Sequence, residues 1–242
     1  MSKARADLLL VARGLAASRA QARAAIEAGG VSANGAAVRK ASDMIDEGAA
    51  LDFTPAHPWV SRGGVKLAHA LDAFGVDPAG RTCLDIGAST GGFTDVLLSR
   101  GAARVYAIDV GSGQLHPRVA SDPRVVAREA TDARMLTRAD LPEPPSLIVC
   151  DVSFIGAAKA LATPLALAAP AADLIVLVKP QFEAGPGRVK GGVLDVDEAR
   201  SIAAVAIAQL DGLQGFRLVS SVESPIRGGE GNLEMLAYFR RA

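Results

Sequence analysis

The sequence predicts an α/β protein: a mostly parallel sheet with helices on both faces, preceded by a small α+β module. Apolar strand-like runs alternate with helical stretches from about residue 66 onward. A glycine-rich turn directly follows the first of those runs. The opening 40 residues differ from the rest in both charge and pattern.

The 242 residues suffice for a small domain and a medium one. Net charge is zero, but residues 1–40 hold seven Lys and Arg against two acids, a local charge of +5. Such a module suits a polyanion, with Arg5, Arg13, Arg19, Arg23 and Lys40 as the residues expected to face phosphates. Asp7–Val11 reads as a helix that Gly14 stops. Ser18 reads as the N-cap of a second helix, with Gln21 completing a capping box. Arg19 and Arg23, four residues apart, share one face of it. Val31–Val38 reads as a hairpin turning at Asn34-Gly35, and Ala50–Phe53 as a further strand. We expect a first domain over residues 1–54, a linker over 55–60 broken by Pro55 and Pro58, and a second domain over 61–242.

In the second domain, Lys66–Phe74 is an amphipathic helix. Strands are expected near Thr82–Ile86, Val105–Val110, Val125–Ala127, Leu147–Asp151 and Leu174–Val178, and a helix over Asp197–Leu210. Phe216–Ser221 and Leu233–Phe239 form an expected antiparallel pair. Cys83 and Cys150 fall inside apolar strands without metal-site spacing, so they read as buried thiols, and no metal site is expected. The longest apolar stretch, Ala157–Ala172, is broken by Lys159, Pro164 and Pro170. With no spanning stretch and no secretory leader pattern, the expectation is a cytoplasmic protein without membrane contact.

The turn Leu84-Asp85-Ile86-Gly87-Ala88-Ser89-Thr90-Gly91-Gly92-Phe93-Thr94 is the strongest motif. Residues Gly87, Ala88, Ser89, Thr90, Gly91, Gly92 and Phe93 let a ligand approach the backbone closely. A carboxylate at Asp85 would repel a pyrophosphate but suits the cationic methionine end of S-adenosylmethionine. Asp109, closing the next strand, can take ribose hydroxyls, and Asp132 an adenine amino group. An NAD-dependent oxidoreductase would also use Asp109, but neither Tyr106 nor Tyr238 has a lysine four residues on.

Asp151 and Lys179 close two further strands, and ligands of open parallel sheets sit beyond such ends. A lysine placed there can orient a ribose 2′-hydroxyl and help remove its proton.

Several motifs together carry a resemblance: Ser61-Arg62-Gly63-Gly64-Val65-Lys66-Leu67, Asp85 to Gly92, Cys150-Asp151-Val152-Ser153-Phe154, Val178-Lys179-Pro180-Gln181-Phe182-Glu183 and Gly231-Asn232-Leu233-Glu234. In this order they resemble the TlyA family of ribosomal RNA 2′-O-methyltransferases, related to the FtsJ type. The resemblance implies a Rossmann-like methyltransferase domain behind an S4-like RNA-binding module, with S-adenosylmethionine as cofactor. It also implies a Lys–Asp–Lys–Glu tetrad on Lys66, Asp151, Lys179 and Glu234, with Lys179 nearest the hydroxyl. Arg62 would extend the basic track, and Arg188 and Lys190 would add to it from a glycine-rich loop. The chain departs from the family pattern at Ser112, where tyrosine is common, and at Asp132, where asparagine is common. The implied reaction is ribose methylation, at a cytidine, of ribosomal RNA or a ribosomal subunit, with 23S rRNA favoured. The competing reading is an RNA-binding assembly factor with an inert methyltransferase fold. The haemolysin label often attached to the family finds no pore-forming segment here. Neither the target nucleotide nor the oligomeric state is legible.

Overall fold

The computed structural model describes residues 2–184, 193–228 and 231–242. The chain divides into two compact units, Met1–Pro58 and Trp59–Ala242.

In the first unit, β1 (Lys3–Arg5) leads into α1 (Ala6–Ala12), and α2 (Arg19–Glu27) follows. The expected capping box is present. Ser18 Oγ accepts from the Gln21 N–H, and the Gln21 side chain accepts from the N–H of Ala17, one residue earlier than the usual partner. β2 (Val31–Ala33) and β3 (Ala36–Ala37) form the hairpin. Asn34 and Gly35 both have positive φ, 49° and 78°, as a two-residue turn of this hand requires. β4 (Met44–Asp46) pairs with β1, and β5 (Leu51–Phe53) pairs with β2. Sequence patterning missed β1 and β4 because three residues are too few to show alternation. Leu9, Leu10, Ala22, Ile26 and Val31 are among the side chains that fill the unit's own core.

The second unit opens with α3 (Gly63–Phe74), β6 (Thr82–Ile86) and α4 (Gly92–Ser99), then β7 (Arg104–Ile108), α5 (Pro117–Ala120) and β8 (Val125–Arg128). It continues through β9 (Leu147–Cys150), α6 (Ala157–Leu167), β10 (Ala172–Val178) and α7 (Pro180–Glu183) to α8 (Val196–Leu210), β11 (Arg217–Glu223) and β12 (Met235–Arg241). Seven strands make one sheet in the order β11-β12-β10-β9-β6-β7-β8. β10, β9, β6, β7 and β8 run parallel, and β12 is antiparallel to both its neighbours.

The apolar runs are continuous because both faces of the sheet are buried. Leu84, Ile86, Ile148, Cys150, Leu174 and Val176 face one core, while Cys83, Leu147, Val149, Ile175 and Leu177 face the other. Both cysteines are buried free thiols, and burial raises both, Cys83 to about 12.

Two topological facts position the site. Strand order reverses between β6 and β9, which opens a crevice at their carboxyl ends. β12 then inserts between β10 and β11, so its first residue, Met235, pairs with the last residue of β10, Val178. The start of β12 therefore lies at the same end of the sheet as the finish of the parallel strands. No helix among the described residues is long and apolar enough to cross a membrane.

Candidate active site

The glycine turn leaves β6 and enters α4 with Gly87 at φ 82°, Ser89 at φ 47° and Gly91 at φ 90°. A Cβ on Gly87 would stand 2.5 Å from the backbone carbonyl oxygen of Asp151, so only glycine lets this turn lie against the end of β9. A Cβ on Gly92 would likewise collide with Ser61 Oγ at 2.2 Å, which holds the start of α4 close to the start of α3. Ala88 and Phe93 are buried supports of the turn, whereas Ser89 and Thr90 are exposed.

The three acids expected to serve the cofactor occupy different environments. Asp85 is fully buried. Its Oδ2 accepts from Thr94 Oγ1 at 2.6 Å, and its Oδ1 has no hydrogen-bond partner among the described residues. Burial pushes this carboxyl up to about 7, against the pull of the Thr94 hydrogen bond. Asp109 accepts from the backbone N–H of Ser89 and of Gly111, both at 2.7 Å, and so ties the glycine turn to the next loop. Each of its oxygens keeps a lone pair for a further donor. Asp132 is engaged locally. It caps a short 3-10 turn and holds Arg134 through both oxygens, and that guanidinium lowers its carboxyl.

The other four acid and amine side chains meet as two ion pairs. Lys179 follows the last residue of β10 and Asp151 the last residue of β9, two neighbouring parallel strands. The Lys179 amine lies 2.5 Å from Asp151 Oδ1 and donates to Ser153 Oγ at 3.0 Å. Lys66, on the first turns of α3, donates to Glu234 Oε2 in a pair whose side chains are 9% and 2% exposed. Glu234 immediately precedes β12 instead of lying within it, so the alternation of Leu233 and Met235 does not turn it to solvent. Removing one partner of such a pair leaves a charge stranded in an apolar setting, at a cost of about 3–5 kcal/mol.

Residues outside the expected set of catalytic and cofactor-binding side chains also shape the site. Thr94 holds Asp85, and Ser153 holds Lys179. Phe154 is 90% exposed at φ 66°, and its ring sits 5.0 Å from that of Phe182. The Lys179 amine is 6.0 Å from the Phe182 centroid. The signal for Ser153 and Phe154 was their place directly after Asp151. Trp59 packs on α3, where a Cβ on Gly64 would meet its side chain at 2.4 Å.

The basic residues also sort by geometry. Arg23 and Lys40 are exposed. Arg5 and Arg19 both reach Asp7. Arg13 is engaged internally, donating to the carbonyls of Ala49 and Glu47, which leaves less of its guanidinium for a phosphate than the sequence suggests. Arg62 donates to the Arg227 carbonyl at 2.7 Å. Arg188 and Lys190 lie outside the described residues.

A profile of the FtsJ-like methyltransferase family matches residues 59–241, and an S4 domain profile matches residues 5–51. The 16S/23S rRNA (cytidine-2′-O)-methyltransferase TlyA of Mycobacterium tuberculosis is 46% identical over 241 residues, covering 98% of this chain and 90% of that protein. The chain belongs to the TlyA group of FtsJ-like methyltransferases. The 23S rRNA (cytidine-2′-O)-methyltransferase TlyA of Campylobacter jejuni is 36% identical, over 81% of this chain and 76% of its own length. A solved structure from Streptococcus thermophilus that carries the hemolysin name shares 37% identity at a TM-score of 0.73, covering all of this chain and 90% of that one. The TlyA-type chain is thus an S-adenosylmethionine-dependent enzyme with a Rossmann-like catalytic fold. The crevice suits that cofactor. It offers a close-approach glycine turn, a buried carboxylate oxygen without a partner, and a second carboxylate with lone pairs to spare.

Proposed function

We propose that this chain methylates a ribose 2′-hydroxyl of ribosomal RNA, at a cytidine, with 23S rRNA as the favoured target. The observation that carries the reading is the Lys179–Asp151 pair, held at the strand ends beside the glycine turn. When bound, S-adenosylmethionine supplies an electrophilic methyl group on a cationic sulfur. Gly87 to Phe93 would hold its backbone-facing side, Asp85 its methionine end and Asp109 its ribose; Asp132 is the weakest member of that set.

Lys179 is the group assigned to the 2′-hydroxyl. Asp151 and Ser153 fix its amine on two sides, so it meets the oxygen in one orientation. Held as an ammonium by Asp151, the amine orients the hydroxyl oxygen toward the methyl group and stabilises the negative charge that develops there as the hydroxyl proton leaves to solvent. Lys66 and Glu234 keep α3 and the start of β12 together and set the field around that amine. The exposed Phe154 ring offers an apolar face to an unstacked base.

Residues 1–54 form the RNA-binding part, residues 61–242 the catalytic part, and residues 55–60 join them. Arg5, Arg19, Arg23 and Lys40 face phosphate, with Arg13 and Arg62 contributing through the N–H groups their backbone partners leave. Such contacts give affinity with little sequence reading. The substrate places the enzyme with ribosomes in the cytoplasm.

The test is transfer of labelled methyl from the cofactor to purified 23S rRNA or 50S subunits, followed by mass-spectrometric mapping of ribose methylation. Methyl at one cytidine 2′-oxygen is the expected product. Wild-type protein that binds the RNA and transfers nothing would make the chain an inert assembly factor.

A further inference from the structure

Asp7 stands apart from the basic residues around it. It is the one acid in the opening 26 residues, and its side chain is fully buried. Three donors converge on it. Arg5 makes a bidentate contact, Nε to Oδ1 and Nη2 to Oδ2, both at 3.0 Å. Arg19 approaches Oδ2 with Nη2 at 3.1 Å and Nε at 3.4 Å. The Leu8 N–H adds a bond to Oδ1 at 3.1 Å. Arg5 precedes α1 and Arg19 begins α2, so one carboxylate fixes guanidinium groups from two different elements.

Both arginines remain open to solvent, with side chains 40% and 57% exposed. Each uses its Nε–Nη2 edge on Asp7, and among the described residues neither Nη1 makes a hydrogen bond. A guanidinium has five N–H donors, so each arginine keeps a free edge. The cluster of two cations and one anion is cationic overall. The arginine hydrogen bonds hold the Asp7 carboxyl down at about 2, so the anion persists at every working pH.

We propose that Asp7 is a positioning residue for RNA binding: it clamps Arg5 and Arg19 side by side so that their free edges grip one phosphodiester. The proposal rests on the rRNA reading above. An unclamped arginine on a surface gives up side-chain freedom when it meets a phosphate. A pair already fixed by a buried carboxylate has given up that freedom on folding, so more of the contact energy appears as affinity.

The sign of one substitution separates clamping from simple charge. Asp7→Asn removes an anion from a polyanion-binding surface, so charge alone predicts tighter RNA binding. Clamping predicts weaker binding, by about tenfold, the equivalent of one charge-assisted hydrogen bond. Binding of the full-length chain to purified 23S rRNA would be measured between about 50 and 200 mM salt. S-adenosylhomocysteine binding and a thermal melt would report on the catalytic unit and the fold.

A folded Asp7→Asn protein that binds 23S rRNA as tightly as wild type, or more tightly, overturns the proposal. If that variant loses its N-terminal structure, the double variant Arg5→Lys, Arg19→Lys decides. It retains every charge and loses the forked geometry. A loss of about tenfold in it, with near wild-type affinity in Arg23→Lys, an exposed arginine outside the cluster, supports the clamp, and an equal loss in both variants or wild-type affinity in the double variant refutes it. Wild-type protein that fails to bind 23S rRNA would remove the rRNA reading and the clamp together. Wild-type binding with indifferent variants would remove only the clamp.

Discussion

Lys66 and Glu234 are 168 residues apart in the chain, yet they meet as an ion pair from which solvent is almost excluded. α3 supplies the cation and the approach to β12 supplies the anion, so the pair joins the first helix of the catalytic unit to its last strand. Breaking it and replacing it are different experiments. Lys66→Ala or Glu234→Ala alone should destabilise the catalytic unit by about 3–5 kcal/mol, read by urea denaturation. The double variant Lys66→Met, Glu234→Leu should recover most of that stability while methyl transfer stays low. Full activity in the stable double variant would reduce the pair to a structural role.

Lys179→Ala should retain fold and S-adenosylhomocysteine affinity and lose about 100-fold or more in single-turnover methyl transfer. Turnover near wild type would take Lys179 out of the chemistry.

Asp85 gives a pH signature. Its native carboxyl sits at about 7, above the ordinary aspartate value, so the native state holds a proton that the unfolded state releases. Stability contributed by this group is therefore fully present below about pH 4 and falls as pH rises through about 7. A cationic ligand favours the ionised form, so S-adenosylmethionine affinity should rise from pH 6 to pH 8. Asp85→Asn should flatten both trends, as followed by thermal melts and calorimetry. A wild-type affinity profile without a rise across that interval would separate Asp85 from the methionine end of the cofactor.

Gly87→Ala should fail twice, through its positive φ of 82° and through the collision with the Asp151 carbonyl. We expect lower stability and no measurable cofactor binding, checked by thermal shift with S-adenosylhomocysteine. A normal ligand-induced shift would show that the turn adapts.

Arg19→Glu with Arg23→Glu should weaken 23S rRNA binding, make its salt dependence shallower and leave S-adenosylhomocysteine binding as in wild type. An unaltered RNA dissociation constant at moderate salt would clear this helix face of an RNA role.

The parallel strands were legible because burial on two faces leaves uninterrupted apolar runs, as in Leu174–Val178. The N-terminal hairpin was legible because Asn34-Gly35 permits one turn geometry. Glu234 was not legible from pattern. Its burial follows from β12 inserting antiparallel beside β10, a long-range pairing that local alternation does not encode. Arg13 and Asp132 show the converse. Charge marked them out, but it did not reveal that the Ala49 and Glu47 carbonyls and the Arg134 guanidinium also engage them locally. Asp85 was found by its place near a strand end, while its depth follows from β6 lying between β9 and β7, with Thr94 as its buried hydrogen-bond donor.

The insertion of β12 also imposes an order in time. A ribosome making this chain releases Lys66 long before Glu234, and at ordinary elongation speeds the interval is roughly ten to thirty seconds. Throughout it the amine has no counter-charge and the sheet lacks the strand that brings one. On the reading proposed above, in which that pair serves methyl transfer, the nascent polypeptide would be catalytically silent on the particle that builds it until the closing strand has emerged and docked.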